Sequence, residues 1–142
     1  MVNVPANNRL SVLLAHDSEG WQDTVRRLLE PQGVQTVAVR SGREALDVLQ
    51  HTQVHVAVLD QQMPQLGGLQ VIKLMRDLKA PPPSILLANH LTDHLLHDAL
   101  GLRVFSVLSK PVDLNLLLDT MARVLKRHHQ SRWPQGPTTT NS

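Results

Sequence analysis

Three residues with the chemistry to handle a phosphate stand at equivalent places in the chain. Asp17, Asp60 and Lys110 each follow, within two residues, a short apolar run, at 10–15, 54–59 and 104–108. Runs of that kind read as buried strands. If those strands pair in parallel, their carboxyl ends bring two carboxylates and one ammonium to a single rim. Carboxylates that close repel each other, and both gain from a hard cation that takes oxygen ligands; Mg²⁺ in particular keeps waters and engages phosphate. A cation held by one or two carboxylates, with an open side, suits phosphoryl transfer. Asp60 then qualifies as a nucleophile, weak by itself but able to accept a phosphoryl group once metal and lysine offset the charge. Lys110 would neutralise a phosphoryl oxygen opposite the metal.

Positioning these groups requires a particular alternation of elements, and the sequence carries it. After the first strand, Ser18 can cap a helix whose Trp21, Val25, Leu28 and Leu29 share a face, and Pro31-Gln32-Gly33 stops it. A valine-rich strand at 34–39 follows, its Gln35 and Thr36 suiting an edge. Ser41 and Glu44 then form a capping box for a helix to about residue 50. The third strand ends at Asp60. Val71, Leu74, Met75 and Leu78 mark a helix closed by Pro81-Pro82-Pro83, and 84–88 is an apolar fourth strand. Thr92 and Asp93 can cap a short helix to about Leu100, with Gly101 behind it. A fifth strand at 104–108 leads to Ser109-Lys110-Pro111, and Asp113 caps a last helix carrying Leu114, Leu117, Leu118, Met121 and Leu125. Five strands alternating with five helices on short connections demand parallel pairing through right-handed crossovers. The expected fold is α/β, a doubly wound five-stranded parallel sheet of order 2-1-3-4-5 in a flavodoxin-like three-layer sandwich. Strands one, three and four are the most continuously apolar and belong in its middle. Ligands of such sheets bind beyond the strand carboxyl ends, where the order reverses, and the residues there are His16, Asp17, Asp60, Ala88, Asn89 and Lys110.

At these positions the chain resembles the receiver domain of bacterial two-component response regulators, over residues 10–125. The resemblance rests on Asp17 after strand one, on Asp60-Gln61-Gln62-Met63-Pro64 with Gly68 eight residues after the aspartate, and on Ser109-Lys110-Pro111. It implies that Asp60 is the phosphoacceptor, that Asp17, Asp60 and the Gln62 backbone carbonyl ligate Mg²⁺, and that Lys110 binds the phosphoryl group. The Lys110-Pro111 peptide is then expected to be cis. The implied partner is a sensor histidine kinase or phosphotransfer protein, and the chain would be a signalling module rather than an enzyme.

Three positions depart from the family pattern. His16 stands where an acid is usual, which removes a negative charge and weakens Mg²⁺ binding; as a residue at the strand end it reads as a polar cap in preference to a metal ligand. Ala88 stands where a hydroxyl is usual and cannot donate to a phosphoryl oxygen, an interaction worth roughly 1.5–3 kcal/mol. Val107 stands where an aromatic ring is usual. A phosphorylation-independent pseudo-receiver, keeping the fold as a protein-interaction module, is therefore the alternative reading.

Other classes fare worse. Without cysteine there is no thiol catalysis, disulfide framework or thiolate metal site, and a formal charge of +2 with three aromatics argues against nucleic-acid binding by this domain. A flavin carrier would need a hydroxyl- and glycine-rich loop where His16-Asp17-Ser18-Glu19-Gly20 stands. His90, His94 and His97 lack a completing ligand and read as a solvated helix face, with Asp93–His97 and His94–Asp98 as i, i+4 pairs. Arg123, Lys126, Arg127 and Arg132, with His128 and His129, read as charge complementing a helix C-terminus. The start lacks a signal peptide and no apolar run approaches the ~20 residues of a membrane helix, so a cytoplasmic protein is expected, with no membrane partner. Residues 1–9 are expected to be a tail, 10–129 the receiver domain, and 130–142 a disordered tail or a linker to an output domain not encoded here. The fourth and fifth helices could support a homodimer, unless Leu95, Leu96 and Leu100 are simply core.

Overall fold

The computed structural model describes residues 9–128, so the tail expected at 130–142, with Arg132 and Trp133, and most of that at 1–9 lie outside the described residues. Five strands, β1 (Ser11–Ala15), β2 (Gln35–Val39), β3 (Val56–Asp60), β4 (Ser84–Ala88) and β5 (Ser106–Ser109), form one parallel sheet of order β2-β1-β3-β4-β5. Helices α1 (Glu19–Leu29), α2 (Gly42–His51), α3 (Gly68–Met75), α4 (Asp93–Gly101) and α5 (Leu114–His128) alternate with them. This is the expected doubly wound, flavodoxin-like arrangement. Every residue of β1, β3 and β4 is buried, whereas β2 and β5 are partly open, as edge strands should be.

Because side chains alternate across a strand, each central strand feeds two cores. Val12 and Leu14 pack with Val25 and Leu29 of α1 and with Leu117, Met121, Val124 and Leu125 of α5. Leu13 and Ala15 face the other way, toward Ala45 and Leu49 of α2 and Val71, Ile72 and Met75 of α3. Each fully buried aliphatic side chain contributes about 1.5–3 kcal/mol. Both cores lie along the strands, so the strand ends are fixed from both sides.

Several local signals work as read. Ser18 accepts from the Trp21 N–H, and the Ser41 hydroxyl accepts from Glu44 N at 3.1 Å, while the Glu44 carboxylate reaches back one residue further than a capping box requires, to Arg40 N at 2.8 Å. Asp113 accepts from Asn115 and Leu116 N–H groups at the start of α5. The proline stop at 31 is gentler than expected: residues Glu30–Gln32 continue as one 3₁₀ turn before Gly33 reverses the chain at φ 85°.

Other expectations need correction. Leu28 is 39% exposed and Leu74 50% exposed, while the buried stripes of their helices run through Gln22, Val25 and Leu29 and through Gly68, Val71, Ile72 and Met75. At a 3.6-residue period Leu28 and Leu74 each fall about 60° round the helix from the buried Val25 and Val71, at the margin of the apolar stripe. Leu96 and Leu100 are exposed as well, so they are not core; Leu95 alone of the three packs inward. Gly101 closes α4 instead of following it, and the left-handed residue of the turn is Arg103, φ 61°. That turn delays β5 to Ser106. Strand β3 starts at Val56 instead of 54 and runs through Asp60, which pairs with Leu87.

Gly68 is required by proximity. A methyl group there would fall 2.5 Å from Leu86 Cδ1 in the buried core and 3.0 Å from the Asp60 carbonyl oxygen. The start of α3 thus rests directly on the end of β3. Gly68→Ala is expected to cost about 1–3 kcal/mol through overpacking, read as a lower urea midpoint at unchanged slope.

Candidate functional site

Register alone sets the rim. Ala15 pairs with Leu59, which puts His16 level with Asp60, and Ala88 pairs with Ser109, which puts Lys110 one step beyond the end of β4. Asp60 is fully buried. Lys110 Nζ reaches both of its oxygens, at 3.0 Å to Oδ1 and 2.8 Å to Oδ2, and the Gln62 N–H donates to Oδ1 at 3.0 Å. A buried carboxylate is tolerable only with such compensation. The Lys110-Pro111 peptide is cis, as expected.

Asp17 sits on the outer lip with its side chain 60% exposed, and a ligand atom from each of His16, Asp17 and Asp60 lies within 4.8 Å of the others. Two carboxylates, one sealed and one open to water, match the donor chemistry of a hard divalent cation that retains waters. The nitrogen of His16 matches it poorly. Its Nδ1 accepts the Ser18 N–H at 3.0 Å, its ring stacks on Trp21 with centroids 4.4 Å apart at 15°, and its Nε2 lies 3.5 Å from Asp60 Oδ2.

Burial is the largest influence on His16 and pushes its pKa below the ordinary 6.5; Asp60 pulls upward, Lys110 pushes down again, and Asp17 pulls upward, without reversing the outcome. The folded state therefore binds a proton at His16 less readily than the unfolded chain does. Acidification below about pH 6.5 should then cost stability until the lower folded-state pKa is passed. Urea midpoints at pH 7.5 and 5.5 are expected to fall further for the wild type than for His16→Gln.

Around this centre, Gln62 Oε1 accepts from Asn89 Nδ2, and Gln61 Oε1 accepts the Leu69 N–H at 2.9 Å, so the loop after β3 is tied to both β4 and α3. Ala88 ends β4 buried, with no polar atom in its side chain, and Val107 is partly buried against the second core. His94 pairs with Asp98 at 3.3 Å on an exposed surface. Among the described residues, His16, Asp17 and Asp60 form the one group of three or more ligating side chains close enough to share an ion.

Sequence reasoning missed Gln22. It is buried on α1, and its amide points at the carbonyls of Leu14, His16 and Val39, at 3.3, 2.9 and 2.6 Å. It fastens the ends of β1 and β2 and so holds the His16-Asp17 turn. The available signal was a polar residue three positions before Val25 on an otherwise apolar helix face.

With this geometry in place, the comparison with known proteins is decisive. A family model described as the response regulator receiver domain matches residues 12–122. The chain belongs to that family. This receiver is 29% identical over 137 residues to the regulatory protein AtoC of Escherichia coli, covering 85% of this chain but 30% of that protein. It is 29% identical over 131 residues to the response regulator MprA of a Mycobacterium strain, covering 91% of this chain and 56% of that protein. Thus the receiver spans only part of these relatives' length. Among solved structures, a Francisella response regulator receiver domain superposes with TM-score 0.77 at 25% identity, covering 84% of this chain and 99% of that one. The chemotaxis response regulator CheY4 of Vibrio cholerae gives 0.74 at 27% identity, covering 82% and 99%. Receiver domains of response regulators are signalling modules, and no helix among the described residues of this one is long and apolar enough to cross a membrane.

Proposed function

We propose that this receiver takes a phosphoryl group from the phosphohistidine of a sensor histidine kinase or phosphotransfer protein onto Asp60, and that the modified domain changes its affinity for an output domain or protein. The observation that carries this reading is the contact of Lys110 Nζ with both Asp60 oxygens beside a second carboxylate. In the transfer, a carboxylate oxygen of Asp60 attacks phosphorus, the phosphorus–nitrogen bond breaks, and the donor imidazole departs with that electron pair. Lys110 holds the nucleophile in place and then neutralises a phosphoryl oxygen. Gln62, through its N–H, holds Oδ1 of the same carboxylate. Mg²⁺ held by Asp17, Asp60 and the Gln62 backbone carbonyl would supply further charge neutralisation at the phosphoryl oxygens. Trp21, stacked on His16, covers one side of the site. Incubation of the full chain with a small acyl phosphodonor and Mg²⁺ is expected to add one phosphoryl mass, and a chelator to suppress it; no adduct with metal present would overturn the reading.

Ala88 and Val107 favour a second reading, a pseudo-receiver whose contacts do not depend on phosphorylation. Ala88 supplies no hydroxyl donor, and Val107 no aromatic ring. Backbone amide resonances in the presence of a beryllofluoride phosphoryl mimic separate the two. Shifts extending into α4 and β5 support the switching receiver, whereas shifts confined to the loops around Asp60 support the scaffold.

A further inference from the structure

We infer that His16 is a phosphoryl-binding residue of this receiver, its Nε2–H donating a hydrogen bond to an oxygen of the group carried on Asp60; the inference rests on Asp60 as phosphoacceptor. The assignment follows from how the ring is wired. Nδ1 accepts the Ser18 N–H at 3.0 Å, so the neutral imidazole carries its proton on Nε2. The other tautomer would set a ring N–H against the Ser18 N–H, and a flip of this ring, 8% exposed and stacked on Trp21, would set Cδ2–H there instead and lose the bond.

That wiring also decides between the two things an imidazole beside two carboxylates can do. A histidine that ligates a metal normally donates from its other nitrogen to an acceptor, which fixes the tautomer needed for coordination. In this receiver the other nitrogen accepts the Ser18 N–H at 3.0 Å, while Asp17 Oδ1 stands farther off at 3.5 Å. His16 is therefore built to give a hydrogen bond and not to receive a cation. Its Nε2 lies 3.5 Å from Asp60 Oδ2, the same oxygen that Lys110 holds at 2.8 Å. At 3.5 Å Nε2 stands beside the carboxylate without a hydrogen bond to it, so its proton is not consumed there. An oxygen added on Asp60 enters its range, and hydrogen bonds of this kind often tighten only once the reacting group is in place. Ala88 makes the contribution more consequential, since β4 offers no hydroxyl donor at this rim.

The test uses the full chain labelled with ¹⁵N at histidine. In the free protein, long-range proton–nitrogen correlations are expected to report the Nε2–H tautomer for His16, and a beryllofluoride mimic with Mg²⁺ should shift that proton downfield. After loading with an acyl phosphodonor, His16→Leu should lose its phosphoryl group about tenfold or more faster than wild type, as expected for loss of a hydrogen bond to a charged acceptor. His16→Gln, whose amide reaches similarly, should recover most of that lifetime. An Nδ1–H tautomer, or a His16→Leu adduct as long-lived as wild type in a folded protein, would overturn the inference while leaving Asp60 as acceptor. Absence of any wild-type adduct would overturn the phosphoacceptor reading and this inference with it.

Discussion

Asp60→Asn is expected to take up no phosphoryl group under conditions that load the wild type, and to fold with stability within about 1 kcal/mol of it. The first half follows from the nucleophile: a neutral amide oxygen cannot replace the carboxylate. The second half follows from asymmetry in the Asp60–Lys110 pair. Asp60 has no exposed side-chain surface, whereas Lys110 retains 19%. The asparagine oxygen can still accept the Gln62 N–H, and the freed ammonium can lean toward water on its flexible stem. Replacing a buried ion pair's fully enclosed member by a neutral isostere removes a desolvation cost along with the attraction. Intact mass after phosphodonor treatment and urea unfolding check the two halves separately. A phosphorylated Asp60→Asn protein would mean that another residue is the acceptor.

Lys110→Ala should behave in the opposite sense. It leaves a fully buried carboxylate with the Gln62 N–H and a distant His16 Nε2 as its remaining compensation. Breaking a buried pair this way typically costs about 3–5 kcal/mol, and some relief through the opened rim reduces the expected loss to about 2–4 kcal/mol. Adduct formation should fall at least as steeply, since the cation that offsets the phosphoryl oxygens is gone. In the double variant with Asp60→Asn, most of the lost stability should return, because no buried charge remains to be compensated. A double-mutant cycle on urea midpoints measures that coupling directly, and additive single-variant effects would show that the lysine acts elsewhere.

The contrast between these two residues was partly legible in the sequence. Five apolar runs of nearly equal length, each ending in a polar residue, were enough to place Asp17, Asp60 and Lys110 at one rim, because parallel pairing aligns carboxyl ends whatever the helices do. Edge and centre were legible for the same reason: Gln35 and Thr36 could not be buried on both faces. What remained hidden depends on choices that periodicity does not make. Leu28 and Leu74 lie at the margin of their stripes, and only the packed fold shows that Gln22 and Ile72 are buried while these two are not. The role of Gln22 needs three carbonyls from two strands, which no single stretch of sequence displays. His16 lies between the two cases. Its neighbours Ser18 and Trp21 were visible, but reading them as a ring clamp required knowing that the Ser18 N–H turns back onto Nδ1. For that reason the sequence suggested a passive cap, whereas the structure orients the imidazole toward the carboxylate.

The central claim is that one particular buried carboxylate receives the phosphoryl group. Loading the full chain with an acyl phosphodonor and Mg²⁺, reducing the mixed anhydride with a hydride, and locating the converted residue by peptide mass spectrometry tests it without reference to any partner. Conversion at residue 60 alone is the result this geometry predicts. Conversion at Asp17 or at another acid, with Asp60 intact, would contradict it.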